Sequence, residues 1–250
     1  MLELDEVTST NDFLRSFHPL DERRITLVTA EHQTAGRGSG ANHWHSAPGE
    51  NLLFSLLVHP RHVPPERMFL LSEAIALAVR QAVEDFVTPE LPAMAVTIKW
   101  PNDIYCGDQK VCGMLIENDL QGQQLENCIM GVGINVNQTT FTSDGSPHFN
   151  PVSLAQLLGH EVERRFVLER VVEYFTRQFD QTEQNRGDEL HQAYLAHLYR
   201  KGQLHRFADA QGEFRGTIAD VEPTGHLIIT DEMGQNRRYA FKQVEHLPNT

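Results

Sequence analysis

A glycine loop in the first fifth of the chain, QTAGRGSGANHW, carries the first residue types that could do chemistry. Gly36, Gly38 and Gly40 stand at alternate positions around a single arginine, Arg37. Loops rich in glycine let the backbone come close to a ligand, often a phosphate, and a guanidinium binds phosphate or carboxylate oxygens as a planar fork. An apolar strand pattern follows this loop, where a dinucleotide-binding fingerprint requires a helix. We therefore expect a loop whose backbone comes close to a ligand, in a fold that is not a dinucleotide-binding one.

Two later segments could bring a cation and polar groups to the same ligand. In KWPNDIY, Asn102 and Asp103 should lie at a strand edge with their side chains toward a cleft. Lys110 follows in KVCGMLIEN, and strand alternation predicts that it points away from the face of Gly113. The absence of a side chain at Gly113 would let another group approach the strand closely. A turn followed by a solvated lysine is the alternative interpretation of these residues.

A further pair of glycines interrupts an apolar strand in GVGINVN. Gly131 and Gly133 weaken that strand unless another group must come close to it. A simple β-bulge is the alternative explanation.

The composition favours a folded, acidic protein with reduced thiols. The chain has 250 residues, of which 40% are hydrophobic, so it can build a packed core. The formal net charge of −13 disfavours a protein that binds nucleic acid through a basic face. The three cysteines contain no Cys-x-x-Cys pair, which is typical of reduced thiols in a cytoplasmic protein. We find neither a signal peptide nor a transmembrane pattern, and we expect no membrane association.

Hydrophobic periodicity predicts alternating helices and strands followed by a β-rich end. Helices are predicted over 8–18, with a serine or threonine cap, over 64–86 after two prolines, and across most of 153–199. The predicted strands cover residues 25–30, 51–58, 96–100, 110–118 and 127–137. Beyond residue 200, three turn signals ending in glycine separate short alternating strands, a pattern that favours a small β-barrel.

Taken in order, these segments resemble the biotin protein ligases. The matching residues are Ser9-Thr10-Asn11, Gln33 with Gly36-Arg37-Gly38 and Trp44, the KWPND of 99–103, Lys110 with Gly113, Leu115 and Glu117, and the GVGIN of 131–135. The resemblance implies an α+β fold with a mixed β-sheet catalytic domain flanked by helices over 1–199, like that of class II aminoacyl-tRNA synthetases. A small C-terminal SH3-like β-barrel is expected over 200–250. The chain looks like the short type of the family, without an N-terminal DNA-binding domain.

The resemblance implies an ATP-dependent biotin protein ligase. Such an enzyme joins the carboxylate of biotin to the α-phosphate of ATP, which gives biotinyl-5′-AMP and pyrophosphate. It then transfers biotin to a lysine of a biotin carboxyl carrier protein. The implied substrates are therefore biotin and ATP, the implied metal is Mg²⁺, and the implied partner is the carrier domain of a biotin-dependent carboxylase. The resemblance also leaves room for a homodimer formed through a sheet edge.

The same resemblance implies roles for individual residues. Lys110 and Arg37 should supply positive charge to the catalytic step, and Asp103 should position Mg²⁺ or the incoming amine. The expected biotin-binding residues are Ser9, Thr10, Asn11, Gln33, Gly36, Arg37, Gly38, Ser39, Lys110, Gly113, Gly131 and Gly133. The expected ATP- and adenylate-binding residues are Arg37, Asn42, Trp44, Asn102, Lys110 and Asn135, with Trp44 against the adenine.

The glycine loop departs from the family pattern, and two other functions stay open. Many members carry further arginines where this chain has Ser39 and Asn42, so we expect the adenylate to be held less by charge and more by the loop backbone and Asn42. A lipoate-type ligase shares the fold and the adenylation chemistry but lacks the KWPND segment. A biotin-binding module without catalysis is the third interpretation, and the presence of both Lys110 and Arg37 argues against it.

Overall fold

The fold is built on a seven-stranded mixed sheet, in a computed structural model that describes residues 1–17, 24–40, 42–142 and 150–247. Its strands are β1 (Leu2–Val7), β2 (Ile25–Gln33), β3 (Leu52–Val58), β4 (Val96–Lys99), β5 (Asp103–Cys106), β6 (Gln109–Gln121) and β7 (Gln124–Ile134). Their order across the sheet is β1-β2-β3-β7-β6-β5-β4, with β1 parallel to β2 and the remaining pairs antiparallel. The five predicted strands are confirmed. The sequence analysis did not find β1, an acidic edge strand, or β5, which has only four residues.

The helices of the described residues lie within or close to the predicted segments, and the segment 153–199 contains three of them. They are α1 (Thr10–Ser16), α2 (Phe69–Val87), α3 (Leu154–Leu158), α4 (Arg164–Glu183) and α5 (Gly187–Ala196). The Ser9 side chain caps α1 and accepts from the backbone N–H of Asp12. The predicted start of α2 is wrong, because the two prolines lead into a separate 3₁₀ turn, Pro65–Arg67. None of these helices has the length and apolar character needed to cross a membrane.

The two faces of the large sheet are covered differently. On one face, alternate residues of the strands join α2, α4 and α5 in the main hydrophobic core. Since α2 packs against both the sheet and α4, it is buried around most of its surface. On the other face, α1 covers a small cluster formed by Leu14, Val28, Leu57 and Ile129. Because alternate strand residues share a face, Ser55 and Gly131 also belong to this α1 face.

A second, antiparallel sheet forms the C-terminal part of the chain. Its strands are β8 (Leu204–Asp209), β9 (Gly212–Val221), β10 (Leu227–Asp231), β11 (Asn236–Tyr239) and β12 (Glu245–His246), in the order β11-β10-β9-β8-β12. The predicted glycine turns are confirmed, since Gly212, Gly225 and Gly234 all have positive φ. Buried residues of this sheet belong to the same hydrophobic core as the large sheet. The SH3-like closure and the boundary at residue 200 stay predictions.

The three cysteines are free and buried, as expected for core thiols. Burial raises the pKa of Cys106 to about 12, so this thiol stays protonated at neutral pH. The cysteines therefore act as small apolar core residues.

A buried ion pair between α2 and α5 makes the stability of the fold depend on pH. Glu73 is 1% exposed, and His191 Nδ1 lies 2.7 Å from its carboxylate. The hydrogen bond to Glu73 raises the pKa of His191, and burial raises the pKa of Glu73. The other charges near the pair are Asp220, Arg67 and Lys201.

We expect the free energy of unfolding to fall as the pH rises above about 6.5. A histidine whose pKa is higher in the folded than in the unfolded protein stabilises the fold fully when the pH is below its pKa in the unfolded protein. This stabilisation is lost as the pH rises through its pKa in the folded protein. The raised pKa of Glu73 acts in the same direction from a lower pH. Urea unfolding at about pH 6 and pH 8.5 measures the effect, and His191→Gln should reduce the difference between the two pH values. The same difference in both proteins would contradict the expectation.

Candidate active site

The residues singled out in the sequence lie around one cavity on the α1 face of the large sheet. The cavity has a volume of about 910 Å³. The lining includes every residue for which a binding or catalytic role was expected: Ser9, Thr10, Asn11, Gln33, Gly36, Arg37, Gly38, Ser39, Asn42, Trp44, Asn102, Asp103, Lys110, Gly113, Gly131, Gly133 and Asn135. The fold thus brings the separate sequence motifs together at one place.

The Trp44 indole lies against two glycines of the sheet. Gly113 on β6 and Gly133 on β7 are paired in the strand register, and a Cβ on either would come within 2.8 Å of the indole. The group that approaches these glycines is therefore a side chain of the same protein. Trp44 Nε1 is buried and has no hydrogen-bond partner within the described part of the chain. This leaves one indole donor free in the cavity wall.

Neutral polar groups form the end of the cavity at the start of α1. Gln33 Oε1 accepts from the Thr10 backbone N at 2.8 Å and from the Thr10 hydroxyl at 3.1 Å. The Ser55 hydroxyl lies 2.7 Å from Thr10 Oγ1 and donates to Asn11 Oδ1 at 2.6 Å. The sequence analysis missed Ser55, although it is the only polar residue in the apolar strand LLFSLLV. Buried hydroxyl and amide groups of this kind orient one another and any polar ligand beside them.

Gly131 makes room for Asn11 in this polar group. A Cβ at Gly131 would overlap the Asn11 side-chain amide. Gly131 pairs with Ser55 on one side and with Leu115 on the other, and the Leu115 carbonyl accepts from Asn11 Nδ2 at 3.2 Å. The glycine is therefore needed for the close approach of α1 to the sheet, and the bulge alternative is wrong at this position because the β3–β7 pairing is continuous.

A carboxylate on β6, Glu117, connects the glycine loop to α1. Glu117 accepts from Asn11 Nδ2 at 2.8 Å and from Arg37 Nη2 at 2.7 Å, and it pairs with Arg15 at 2.7 Å. Arg37 also contacts Asp12 at 2.9 Å. Burial tends to raise the pKa of Glu117, but the hydrogen bond from Asn11 and the charges of Arg37 and Arg15 outweigh it and lower the pKa. Protein carboxylates therefore hold Arg37 at the rim of the cavity.

The expected cation and carboxylate form a direct ion pair. Lys110 Nζ lies 2.6 Å from Asp103 Oδ2, and both side chains are about three-tenths exposed. The predicted orientation of Lys110 is wrong, because its Nζ lies only 3.2 Å from where a Cβ of Gly113 would be. A register shift between β5 and β6 at Ile104/Tyr105 leaves Val111 as an extra residue, and this interrupts the strict alternation. Lys110 therefore points into the cavity on the glycine face.

The KWPND segment forms the tight turn between β4 and β5, where Lys99 pairs with Asp103. Asn102 is buried and donates to Ser72 Oγ at 3.2 Å. The Lys99 ammonium also lines the cavity, 3.3 Å from the Tyr105 hydroxyl, and burial lowers the pKa of this lysine. The turn therefore places the Lys99 ammonium and the Asn102 amide beside the Lys110–Asp103 pair.

Asn135 supports Lys110 through the backbone. Its side-chain amide donates to the Val152 carbonyl at 3.2 Å and approaches the Lys110 carbonyl at 3.5 Å. Its own N–H donates to the Val111 carbonyl at 2.9 Å. These contacts fix the strand that carries Lys110, while the direct contact with a nucleotide stays a prediction.

The C-terminal sheet supplies residues to the same cavity that the sequence analysis missed. Thr224 and Phe241 are part of the lining. The Phe241 ring packs edge-on against Trp100 with centroids 5.9 Å apart. No local pattern marks either residue, because their position depends on how the second sheet packs against the first.

The chain is similar in sequence to several curated ligases. Among curated proteins, the chain is 28% identical over 215 residues to the bifunctional ligase/repressor BirA of Bacillus subtilis, a match that covers 86% of this chain and 64% of that protein. It is 27% identical over 209 residues to the biotin–[acetyl-CoA-carboxylase] ligase of Paracoccus denitrificans, which covers 83% of this chain and 85% of that protein. The chain therefore spans slightly less than two thirds of the Bacillus subtilis protein.

Solved structures show the same fold. The biotin protein ligase from Aquifex aeolicus in complex with biotin and ATP superimposes with a TM-score of 0.78 at 23% identity, over 99% of this chain and 98% of that one. A sequence profile described as the biotin/lipoate A/B protein ligase family matches residues 3–135, which is more than half of the chain and includes every expected site residue. The chain belongs to the biotin/lipoate A/B protein ligase family.

Proposed function

We propose that this protein is an ATP-dependent biotin protein ligase that makes biotinyl-5′-AMP and passes the biotin to a lysine of a carrier protein. The observation that carries the proposal is the single cavity in which the Lys110 ammonium, the glycine loop with Arg37, and a neutral polar group at the start of α1 all meet. The related enzymes named above are ligases for biotin, which agrees with this chemistry.

The polar group at the start of α1 suits the ureido ring of biotin. A urea presents one carbonyl and two N–H groups, and a buried site selects it strongly only if each of these finds a partner. The hydroxyl and amide groups of Ser9, Thr10, Asn11 and Gln33 line the cavity and offer both donors and acceptors without a net charge, and the buried Ser55 hydroxyl behind them orients Thr10 and Asn11. We therefore place the ureido end of biotin here and its carboxylate toward Lys110.

The activation step brings a carboxylate against a phosphate, and cations must offset this repulsion. Lys110 is the point charge beside both anions, and it moves from Asp103 to the ligand oxygens as they arrive. Arg37 exchanges Glu117 and Asp12 for the phosphate in the same way. Trp44 forms the wall against the adenine, and its unpaired Nε1 is the donor available there.

Magnesium fits this site only together with the nucleotide. Within the described residues, no group of three His, Cys, Asp or Glu side chains is arranged to hold a metal ion. Mg²⁺ commonly binds one or two carboxylates and takes its other ligands from phosphates and water. Asp103 would then be its protein ligand, and the ion would neutralise charge on the departing pyrophosphate.

The acceptor is proposed to be the lysine of a biotin carboxyl carrier domain, whose amine attacks the activated carbonyl and releases AMP. The acidic net charge of −13 gives no reason to add a nucleic-acid partner. We also propose a cytoplasmic location. A homodimer would form through a sheet edge, and β1 is the strand that offers one, since it lies at the edge of the described sheet with one side unpaired.

The function is tested by incubating the purified protein with ATP, Mg²⁺ and either biotin or lipoate. Mass spectrometry should detect biotinyl-AMP, and addition of a carrier domain should give its biotinylated form. Formation of lipoyl-AMP alone would instead indicate a lipoate-type ligase. Binding of biotin without any adenylate would indicate a binding module, and either result would overturn the proposal.

Arg37→Ala should weaken the binding of both ATP and biotinyl-AMP by roughly tenfold, because a charge-assisted hydrogen bond to phosphate is lost. Isothermal titration calorimetry measures both affinities. Arg15→Ala is the matched control, since Arg15 also pairs with Glu117 but does not line the cavity. Equal losses in the two variants would show that Arg37 acts only by holding Glu117.

A further inference from the structure

A lysine of the C-terminal part, Lys242, is attached to the tip of the glycine loop. Its ammonium donates to the Ser39 carbonyl at 2.8 Å, across 203 positions of the chain. The same carbonyl accepts from the Asn42 backbone N at 3.4 Å, so it lies in the turn that closes the loop. Gly40 follows with φ of +67°, and a Cβ there would come within 2.7 Å of Lys242 Nζ. The loop tip and this lysine are therefore packed directly against each other.

The backbone of Lys242 has an unusual conformation that presents its side chain to the loop. Its φ is +67°, in the left-handed region that residues with a side chain rarely adopt. A short turn maintains this conformation, since Gln243 N donates to the Ala240 carbonyl at 3.1 Å and Gln243 Oε1 accepts from Ala240 N at 2.7 Å. Strain of this kind persists only where surrounding contacts fix it, and it is concentrated at sites of function.

The same turn is anchored to the opposite rim of the cavity. Phe241 packs against the Trp100 ring, and Trp100 Nε1 donates to the Gly225 carbonyl at 3.0 Å. Trp100 and Asn102 both belong to the β4–β5 turn, which ends where Asp103 begins β5. Residues 241–242 therefore connect the KWPND turn on one side of the cavity to the glycine loop on the other.

The glycine loop carries few positive charges of its own. Arg37 is the only arginine or lysine between Gln33 and Trp44, because Ser39 and Asn42 are neutral. A loop that encloses a nucleotide holds that nucleotide partly through the positive charges of its own side chains. Lys242 brings a second positive charge to the loop tip from outside the loop.

We propose that Lys242 is a positioning residue that holds the glycine loop closed over the cavity and so slows the release of biotinyl-AMP. The release part of this inference rests on the proposed function, whereas the contact with the loop does not. In this arrangement the C-terminal sheet controls how long the activated intermediate stays bound. The Lys242 ammonium acts through the Ser39 carbonyl and does not itself line the cavity.

The first test needs no ligand and compares Lys242→Gly, Lys242→Arg and Lys201→Ala with the wild type. Glycine suits a φ of +67°, so Lys242→Gly removes the ammonium without straining the turn. Two amides report loop opening, Gly38 N, which donates to Asn42 O at 2.8 Å, and Trp44 N, which donates to Gly36 O at 2.9 Å. We expect hydrogen exchange at these amides to rise about five- to tenfold in Lys242→Gly, and to stay near the wild-type rate in Lys242→Arg.

The control, Lys201→Ala, removes a lysine that does not line the cavity and should leave the exchange rates unchanged. Unchanged exchange in Lys242→Gly would overturn the proposal, whatever the enzymatic activity of the protein. If exchange in Lys201→Ala were as fast as in Lys242→Gly, the proposal would also be overturned. The faster exchange would then come from the loss of any positive charge and not from the contact between Lys242 and the loop.

The second test measures the dissociation of preformed biotinyl-AMP by dilution into excess unlabelled biotin and ATP. Lys242→Gly should release the adenylate several-fold faster than the wild type, while the rate of adenylate formation stays within about twofold. Lys242→Arg should restore slow release. Equal release rates in wild type and Lys242→Gly would overturn the role in retention. If the wild type makes no adenylate, the proposed function and the retention role both fail, whereas the exchange measurement still decides the loop contact.

Discussion

Replacing Lys110 with alanine is expected to lower the rate of biotinyl-AMP formation by about 10²- to 10³-fold, while the affinity for biotin should change by less than about threefold. The carboxylate and the α-phosphate repel each other most strongly where the new bond forms, and in the proposed mechanism the Lys110 ammonium, which lines the cavity, offsets this repulsion. In the proposed binding mode, the ureido ring lies instead against the neutral groups at the start of α1, away from Lys110. Rapid quench measures the rate of adenylate formation, and calorimetry measures biotin binding.

Two further variants separate the charge of Lys110 from its contribution to folding. Lys110→Arg retains a cation with different geometry and should retain part of the activity. Thermal unfolding of Lys110→Ala shows whether loss of the ion pair with Asp103 destabilises the fold. An unchanged rate of adenylate formation in Lys110→Ala would remove this lysine from the mechanism.

Replacing Gly131 with alanine is expected to weaken biotin binding by about 10- to 100-fold, because Asn11 must then move and would lose its hydrogen bonds with Ser55 and Glu117. The added methyl group would overlap the Asn11 amide, whose Oδ1 lies 2.3 Å from the position of the new Cβ. Calorimetry with biotin alone measures the effect. Alanine is otherwise tolerated better than glycine within a strand, so a general loss of strand structure is not expected.

Gly133→Ala is the matched contrast two residues further along β7. Its methyl group would meet the Trp44 indole and not Asn11. It should therefore weaken nucleotide binding and leave biotin binding nearly unchanged. The double variant Asn11→Ala with Gly131→Ala should bind biotin no more weakly than Asn11→Ala alone, since the overlap has been removed. If Gly131→Ala and Gly133→Ala lowered the two affinities equally, the division of the cavity into two ends would be wrong.

The sequence predicted the members of the site better than their orientation. Ser9, Arg37, Trp44 and Lys110 lie in short motifs whose residue types suit an anionic, polar ligand, and each motif is local in the chain. The orientation of Lys110 was wrong because it depends on a register shift between β5 and β6. Such a shift follows from tertiary pairing, and the spacing of residues in one strand does not contain it.

Contacts between distant segments account for the remaining differences. Ser55 becomes part of the site only because α1 packs on β3, 44 and 45 positions away. Phe241 reaches the cavity, and Lys242 reaches the glycine loop, only because the second sheet packs beside the KWPND turn. The sequence predicted that some group would approach Gly113 closely, but it did not predict that this group is the Trp44 indole. Strand and helix patterns, in contrast, are set by local periodicity, and most were predicted correctly.

The exchange of labelled pyrophosphate into ATP tests most directly the central claim that one cavity joins a carboxylate to the α-phosphate. The wild-type protein should incorporate label when biotin and Mg²⁺ are present, and it should not do so when biotin is omitted or replaced by lipoate. Lys110→Ala should reduce the incorporation to near the background rate. Absence of exchange with biotin, in a protein that binds both biotin and ATP, would contradict the account.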